Sequence, residues 1–138
     1  MPGVLTHIHT DRKVIFLTFD ACGGGKKGNG FDSELLAYLD REHIPATLFL
    51  SGRWIDANPK IARRLARNPL FEIENHGLRH KPCSVNGRAA YGIRGNSGIS
   101  DVIAEVEKNA DKIGSLTGHR PRSTDPEQRC MTMSRRRS

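Results

Sequence analysis

The sequence has no long apolar segment and no paired cysteine motif. Its 138 residues include three cysteines but no Cys-x-x-Cys pair, which argues against a zinc ribbon or a thioredoxin-like site. No apolar run approaches the roughly 20 residues that a membrane-spanning helix needs, so we expect no membrane span. Residues 1–7 also lack the basic start and apolar stretch of a secretory signal, which predicts a cytosolic protein or a misplaced start.

Aromatic and acidic residues are both scarce. Aromatic residues make up 6% of the chain, and 15 Asp and Glu against 22 Lys and Arg give a net charge of +7. A basic chain can bind nucleic acid, but here no aromatic-rich basic motif accompanies the positive charge. Arg63, Arg64 and Arg67 fall on the predicted solvent side of a helix, and residues 135–137 lie in the tail. We therefore expect no nucleic-acid partner.

The length and the periodicity indicate one α/β domain with one core. Apolar runs alternate with segments of helical periodicity, which predicts a mainly parallel sheet. The predicted strands are 14–19, 46–51 and 71–75. The predicted helices are 32–42, 58–67 and 100–116. In the last of these, Ser100 is the expected N-cap, and one face is expected to carry Val102, Ile103, Val106, Ala110 and Ile113.

Two motifs place titratable side chains directly after predicted strands. Segment 14–25 is an apolar run that ends on Asp20 and then breaks into glycines. Such a strand end delivers a carboxylate to the edge of a parallel sheet where α/β sites form. Further along, His76 and His80 follow strand 71–75 at a four-residue step. If the backbone turns helically there, both imidazoles can face one metal ion.

The order of these motifs resembles the polysaccharide deacetylase family, metal-dependent hydrolases that remove acetyl groups from N-acetylated sugars. The family opens with a Thr-Phe-Asp-Asp-Gly-like strand end, here residues 18–23, and continues with a His-Ser/Thr-x-x-His element, here 76–80. The connecting strands are similar too, so the resemblance covers about residues 13–122. It implies that this chain forms the N-terminal half of a distorted (β/α) barrel.

The resemblance also implies roles for three residues. Asp20 would be the general base that takes a proton from the attacking water. His76 and His80 would be ligands of a divalent metal, zinc in most members of the family. The implied substrate is an acetylated polysaccharide or oligosaccharide. Family members usually work outside the cytoplasmic membrane, in the periplasm or the cell wall.

Two positions depart from the family pattern. Ala21 stands where the family has a second Asp, its third metal ligand, and Gly77 replaces the usual Ser or Thr. The site must bind metal with fewer carboxylates, recruit Asp20 or Cys22 as a ligand, or work differently. A thiolate is a strong zinc donor, although cysteine is also a common small buried residue. Cys22 is therefore a candidate additional ligand.

The tail departs from the family altogether. The family continues with a strand that carries an arginine, whereas residues 123–138 have no periodicity and little to bury. Restoring one nucleotide before a back-translated Ser123 gives a family-like strand and helix start, which indicates a frameshift or a sequencing error. We predict a partial polysaccharide deacetylase domain over 1–122 and a disordered tail over 123–138.

These observations favour a hydrolase of sugar N-acetyl amides, inactive in this chain because the arginine-bearing strand and a later catalytic histidine are missing. One alternative is a non-catalytic carbohydrate-binding or interaction remnant of the fold. Another is a small metal-binding protein that uses His76 and His80 alone. Wall glycan, chitin-like oligomers and exported polysaccharides all remain open as substrates.

Overall fold

A computed structural model describes residues 9–124 of the chain. The predicted tail therefore lies almost wholly outside the described residues, and the domain boundary at 122 stays a prediction. Three parallel strands form one sheet in the order β1 (Thr18–Ala21), β2 (Ala46–Leu50), β3 (Phe71–Asn75). The helices are α1 (Ser33–Arg41), α2 (Gly52–Ala57), α3 (Pro59–Ala66) and α4 (Ile99–Thr117). Over these residues, no helix combines the length and hydropathy required to cross a bilayer.

The alternation of strands and helices confirms the predicted α/β class and the parallel sheet. α1 begins where expected, because the Asp32 carboxylate accepts hydrogen bonds from the backbone N–H groups of Glu34 and Leu35. α3 begins at Pro59, whose fixed φ suits the first helical position. The short helix α2 was not predicted. Its cap is Ser51, whose hydroxyl accepts a hydrogen bond from the Trp54 N–H.

The apolar core lies between the sheet and the helices. Alternate strand residues Leu48, Leu50 and Ile73 point into it and are at most 3% exposed. Trp54 and Ile113 meet them from α2 and α4 and are equally buried. Each large side chain buried in this way contributes about 1.5–3 kcal/mol to folding. Trp54 therefore packs against the sheet.

The opposite face of the sheet carries polar residues. Asp20 is paired in register with Phe49, and Phe49 with Glu74, so the three share the face that points away from the core. Glu74 is nonetheless only 3% exposed. Its carboxylate accepts hydrogen bonds from the backbone N–H groups of Arg122 and Ser123 and from the Ser123 hydroxyl. These contacts bring the end of the described chain alongside β3.

The prediction for the first strand was wrong at both ends. β1 begins at Thr18 rather than at residue 14, and it extends to Ala21. Residues 14–17 lie outside the sheet, and Ile15 and Phe16 are 88% and 66% exposed. β1 pairs only with β2 among the described residues, so the apolar run before it has no second strand to pair with.

The start and the inward face of the last helix also differ from the prediction. α4 begins at Ile99 with Gly98 as its N-cap, so Ser100 lies in the first turn and not at the cap. Ile103 was expected to face inward but is 55% exposed. The buried face includes Ala110 and Ile113, as predicted. It also includes Glu105, which bonds to the histidine loop, and Asn109, which bonds to the end of β2.

Candidate metal centre

Cys22, His76 and His80 form one cluster at the carboxyl edge of the sheet. Their potential ligand atoms all lie within 4.8 Å of one another. The Cys22 Sγ is 3.6 Å from the His76 Nε2, and the two imidazole centroids are 4.6 Å apart. His76 is buried, whereas Cys22 and His80 are partly exposed. The cluster unites residues that follow β1 with residues that follow β3.

The backbone of Cys22 is fixed from β2 and α2. The Ser51 hydroxyl and the Arg53 Nε donate hydrogen bonds to the Cys22 carbonyl oxygen, at 2.6 and 2.8 Å. The next residue, Gly23, has φ +73, and a Cβ there would lie 2.8 Å from the Trp54 backbone nitrogen. Only glycine fits this close approach without displacing α2. The chain therefore turns sharply after Cys22 and leaves its thiol at the sheet edge.

The histidine loop is fixed by Glu105 of α4. The Glu105 Oε1 accepts hydrogen bonds from the N–H groups of Arg79 and Lys81, at 2.6 and 3.1 Å. The Glu105 backbone carbonyl accepts a third, from the Leu78 N–H. Gly77 approaches the same carboxylate so closely that a Cβ would lie 2.9 Å from Oε1. The buried side chain of Glu105 thus holds the loop backbone on both sides of His80.

Two asparagines join the base of this loop to α4. The Asn109 Nδ2 donates hydrogen bonds to the Leu50 carbonyl and to the Asn75 Oδ1. The same Asn75 oxygen accepts from the Gly77 N–H, and the Asn75 Nδ2 donates to the Val106 carbonyl. Both asparagines are at most 1% exposed. Buried polar networks of this kind rigidify the segment that they connect.

The four-residue step between the two histidines is compatible with a helical turn, but the structure has no helical turn there. Gly77 has φ +78 and His80 has φ +55, so the backbone passes twice through the left-handed region. For a residue other than glycine, this conformation costs about 1–2 kcal/mol. The hydrogen bonds to Glu105 on either side of His80 offset that cost. The two rings therefore meet through a constrained loop.

The other two residues of the opening motif point in different directions. Asp20 is exposed on the face away from the core, in register with Phe49. Ala21, which replaces the family's third ligand, packs against the apolar core. The structure thus brings Cys22 to the predicted histidines, while the predicted role of Asp20 as base stays a prediction.

The donor set fits a divalent metal ion. One thiol and two imidazoles are typical ligands of zinc, and three protein donors are the number found in catalytic zinc sites. The histidines are held from outside the cluster by Glu105 and by the asparagine pair. These bonds hold the backbone around the histidines and so restrict where the two rings can lie.

Sequence reasoning missed the residues that support the cluster. Ser51 and Arg53 follow β2 with no distinguishing pattern, so nothing in the sequence marks them as anchors of Cys22. Glu105 and Asn109 did carry a signal. They are four residues apart on α4 and in line with the buried Ile113, which is an unusual place for polar residues on a helix that faces a core.

Comparison with known proteins agrees with these motifs. The polysaccharide deacetylase family model matches residues 7–131. The uncharacterized protein YlxY of Bacillus subtilis is 33% identical over 97 residues, which are 69% of this chain and 26% of that protein. A second curated relative, from Geobacillus stearothermophilus, is 25% identical over 34% of its length. The chain thus spans about a quarter to a third of the curated relatives that it matches.

Solved structures show the same fold. A family 4 carbohydrate esterase from Bacillus anthracis superposes with a TM-score of 0.61 at 22% identity, over 82% of this chain and 47% of that one. A family 4 pseudoenzyme from the same organism gives 0.62 at 22% identity, over 84% and 36%. This likeness confirms the prediction of a partial (β/α) barrel. Because the family match spans most of its length, the chain belongs to the polysaccharide deacetylase family.

Proposed function

We propose that the chain forms part of an enzyme that hydrolyses the N-acetyl amide of sugars in a polysaccharide. The observation that carries this proposal is the meeting of His76 and His80 with a third donor at the sheet edge that Asp20 also approaches. His76 and His80 would hold a divalent metal, which we propose is zinc. When bound, such a metal polarises a carbonyl and makes a water molecule more acidic.

Asp20 is the proposed general base. It lies on β1, two residues before Cys22, with its side chain exposed. The carboxylate is thus accessible to a water molecule and to a substrate on the open face of the sheet. Accepting a proton from the attacking water is a task suited to such a group. Ala21 cannot compete with Asp20 for a metal, because its methyl group carries no donor atom.

The proposed substrate is an acetylated polysaccharide or oligosaccharide, and the proposed location is outside the cytoplasmic membrane, as for the family in general. The family relationship supports both assignments. Because the chain spans only part of its relatives, a complete active site is proposed to need the arginine-bearing strand and the later histidine of the family.

A non-catalytic carbohydrate-binding role is the second candidate. One structural neighbour is described as a pseudoenzyme, and a mutant of that protein has restored enzymatic activity. In this chain, the replacement of the family's ligand by Ala21 is a comparable departure from the active pattern. The fold is therefore compatible with loss of the reaction and retention of a binding surface.

Acetate release separates the two candidates. The 138-residue chain and a form with the reading frame restored before Ser123 are incubated with zinc and an N-acetylated glycan, and free acetate is measured. We expect release by the restored form and little or none by the shorter chain. If the restored form binds the glycan but releases no acetate, the hydrolase proposal is wrong and the binding role is favoured.

A further inference from the structure

We propose that the thiolate of Cys22 is a protein ligand of the metal, taking the place of the carboxylate that this family otherwise supplies. The inference rests on the metal site of the proposed function, and it specifies the chemistry of that site. A centre of one sulfur and two imidazole nitrogens selects zinc or another thiophilic ion over magnesium or calcium.

The spacing of the donors supports direct ligation. With bonds of about 2.3 Å to sulfur and about 2.1 Å to nitrogen, a tetrahedral zinc ion separates these two ligands by about 3.6 Å. The Cys22 Sγ and the His76 Nε2 are 3.6 Å apart. The atoms of His80 complete a group in which every separation is within 4.8 Å.

The backbone places the thiol of Cys22, and not the side chain of residue 21, next to the histidines. Ala21 is the last residue of β1 and packs against the core, and its methyl group has no donor atom for a metal. Cys22 is the first residue past the strand, and its carbonyl is fixed by Ser51 and Arg53. The turn at Gly23 then carries the chain away. The thiol is therefore held toward the histidines by bonds outside the cluster.

Thiolate ligation also leaves Asp20 available for proton transfer. The family's ligand contributes one negative charge to the metal, and a cysteine thiolate contributes the same charge after its proton passes to the buffer. Asp20 need not be recruited to supply that charge. The two carboxylates of the family motif are thus replaced by one carboxylate and one thiolate, with separate tasks.

Cobalt substitution tests the inference directly. The 138-residue chain is titrated with Co²⁺, and the near-ultraviolet sulfur-to-cobalt charge-transfer band is recorded. We expect the band in the unaltered chain and in Cys83→Ser, whose buried cysteine is not one of the three clustered donors, and its loss in Cys22→Ser. Loss of a residue that supports a metal ligand lowers metal affinity about tenfold to a hundredfold, and loss of the ligand itself should cost at least as much. Zinc affinity in Cys22→Ser should therefore fall by about tenfold or more.

Two further measurements test the inference even if Cys22→Ser does not fold. Cys22→Asp restores a charged ligand, so zinc binding should persist without the charge-transfer band. In the unaltered chain, zinc should protect Cys22 from alkylation, as mapped by mass spectrometry, while Cys83 shows no zinc-dependent change. Cobalt binding without the band, no metal binding at all, or equal alkylation of Cys22 with and without zinc would overturn the inference.

The outcome is independent of hydrolysis. A charge-transfer band without acetate release by the frame-restored form would support Cys22 ligation and contradict the proposed function. Acetate release without the band, and with full zinc affinity in Cys22→Ser, would support the hydrolase and reject the thiolate ligand.

Discussion

At the β3 edge of the sheet, buried polar side chains bind the strand to α4 and to residues 122–124, whereas at the β1 edge apolar residues face solvent. Glu74, Glu105 and Asn109 are each at most 4% exposed. Glu105 holds the histidine loop, Asn109 bonds to the end of β2, and Glu74 holds residues 122 and 123. Before β1, Ile15 and Phe16 lie outside the sheet and are 88% and 66% exposed.

The candidate site is divided between these two edges. The β3 side supplies two imidazoles and most of the supporting bonds, and the β1 side supplies Asp20 and Cys22. The β1 side is fixed through its pairing with β2 and through hydrogen bonds from Ser51 and Arg53. We therefore expect substitutions at the β1 edge to change chemistry with little effect on folding. Substitutions on the β3 side should change folding and metal affinity together.

The largest expected effect is on the β1 side. Asp20→Asn in the frame-restored form should lower the rate of acetate release about a hundredfold to ten-thousandfold, because general-base assistance is lost. Thermal unfolding should be nearly unchanged, since Asn keeps the shape of this exposed side chain. Full activity in Asp20→Asn would show that another group accepts the proton.

Gly77→Ser tests the β3 side, and it restores a residue type that the family commonly has. We expect it to destabilise the chain by about 1–3 kcal/mol, because Gly77 has φ +78 and its Cβ would lie 2.9 Å from the Glu105 Oε1. Urea unfolding and zinc titration measure the two consequences. Zinc affinity should fall along with stability.

Gly87→Ser is the matched control for that change. Gly87 has φ +75, almost the same as Gly77, but a Cβ there would meet nothing within 4 Å. Its cost should be limited to the backbone conformation, about 1 kcal/mol, with zinc affinity unchanged. Equal losses of zinc affinity in the two variants would contradict a specific role for the contact with Glu105.

Glu105→Gln is a milder change on the same side. Both loop hydrogen bonds end on Oε1, so the amide keeps an acceptor and loses only the charge. We expect a loss of about 1–2 kcal/mol in stability and a roughly tenfold loss in zinc affinity. Glu107→Gln, which removes an exposed ion pair with Arg120, is the control and should change neither by much.

The smallest expected effect on stability is at the β1 edge. Phe16→Lys should change the free energy of unfolding by at most about 0.5 kcal/mol, because the ring is already 66% exposed. The added charge should instead reduce self-association through the unpaired edge, which sedimentation velocity can measure. A loss greater than about 1 kcal/mol would indicate that Phe16 is covered in solution.

Local patterns predicted most of the elements. The cap at Asp32 and the apolar periodicities of β2 and β3 located α1 and two strands to within a residue or so, because those segments are stabilised by their own sequence and by one core. β1 was misplaced because an apolar run becomes a strand only where it has a partner. The run before Thr18 has the composition of a strand and lacks the partner.

The candidate ligands of the site could be predicted from the sequence, but the residues that hold them in place could not. His76, His80 and the candidate ligand Cys22 could be chosen because few residue types bind zinc and the motifs were distinctive. The clamp formed by Glu105 and Asn109 depends on which face of α4 meets the sheet. That choice is made by long-range packing. The predicted apolar stripe was right for Ala110 and Ile113, which are buried, and wrong for Ile103.

The separation of the ligands along the chain has a consequence for the order of folding. Cys22 and His76 are 54 positions apart, and the clamp adds contacts from Glu105 to Arg79 across 26 and from Asn109 to Leu50 across 59. Each contact closes a long loop, so the cluster forms only after the sheet has assembled and α4 has docked. Zinc bound at such a late-forming site should slow unfolding and leave the refolding rate almost unchanged.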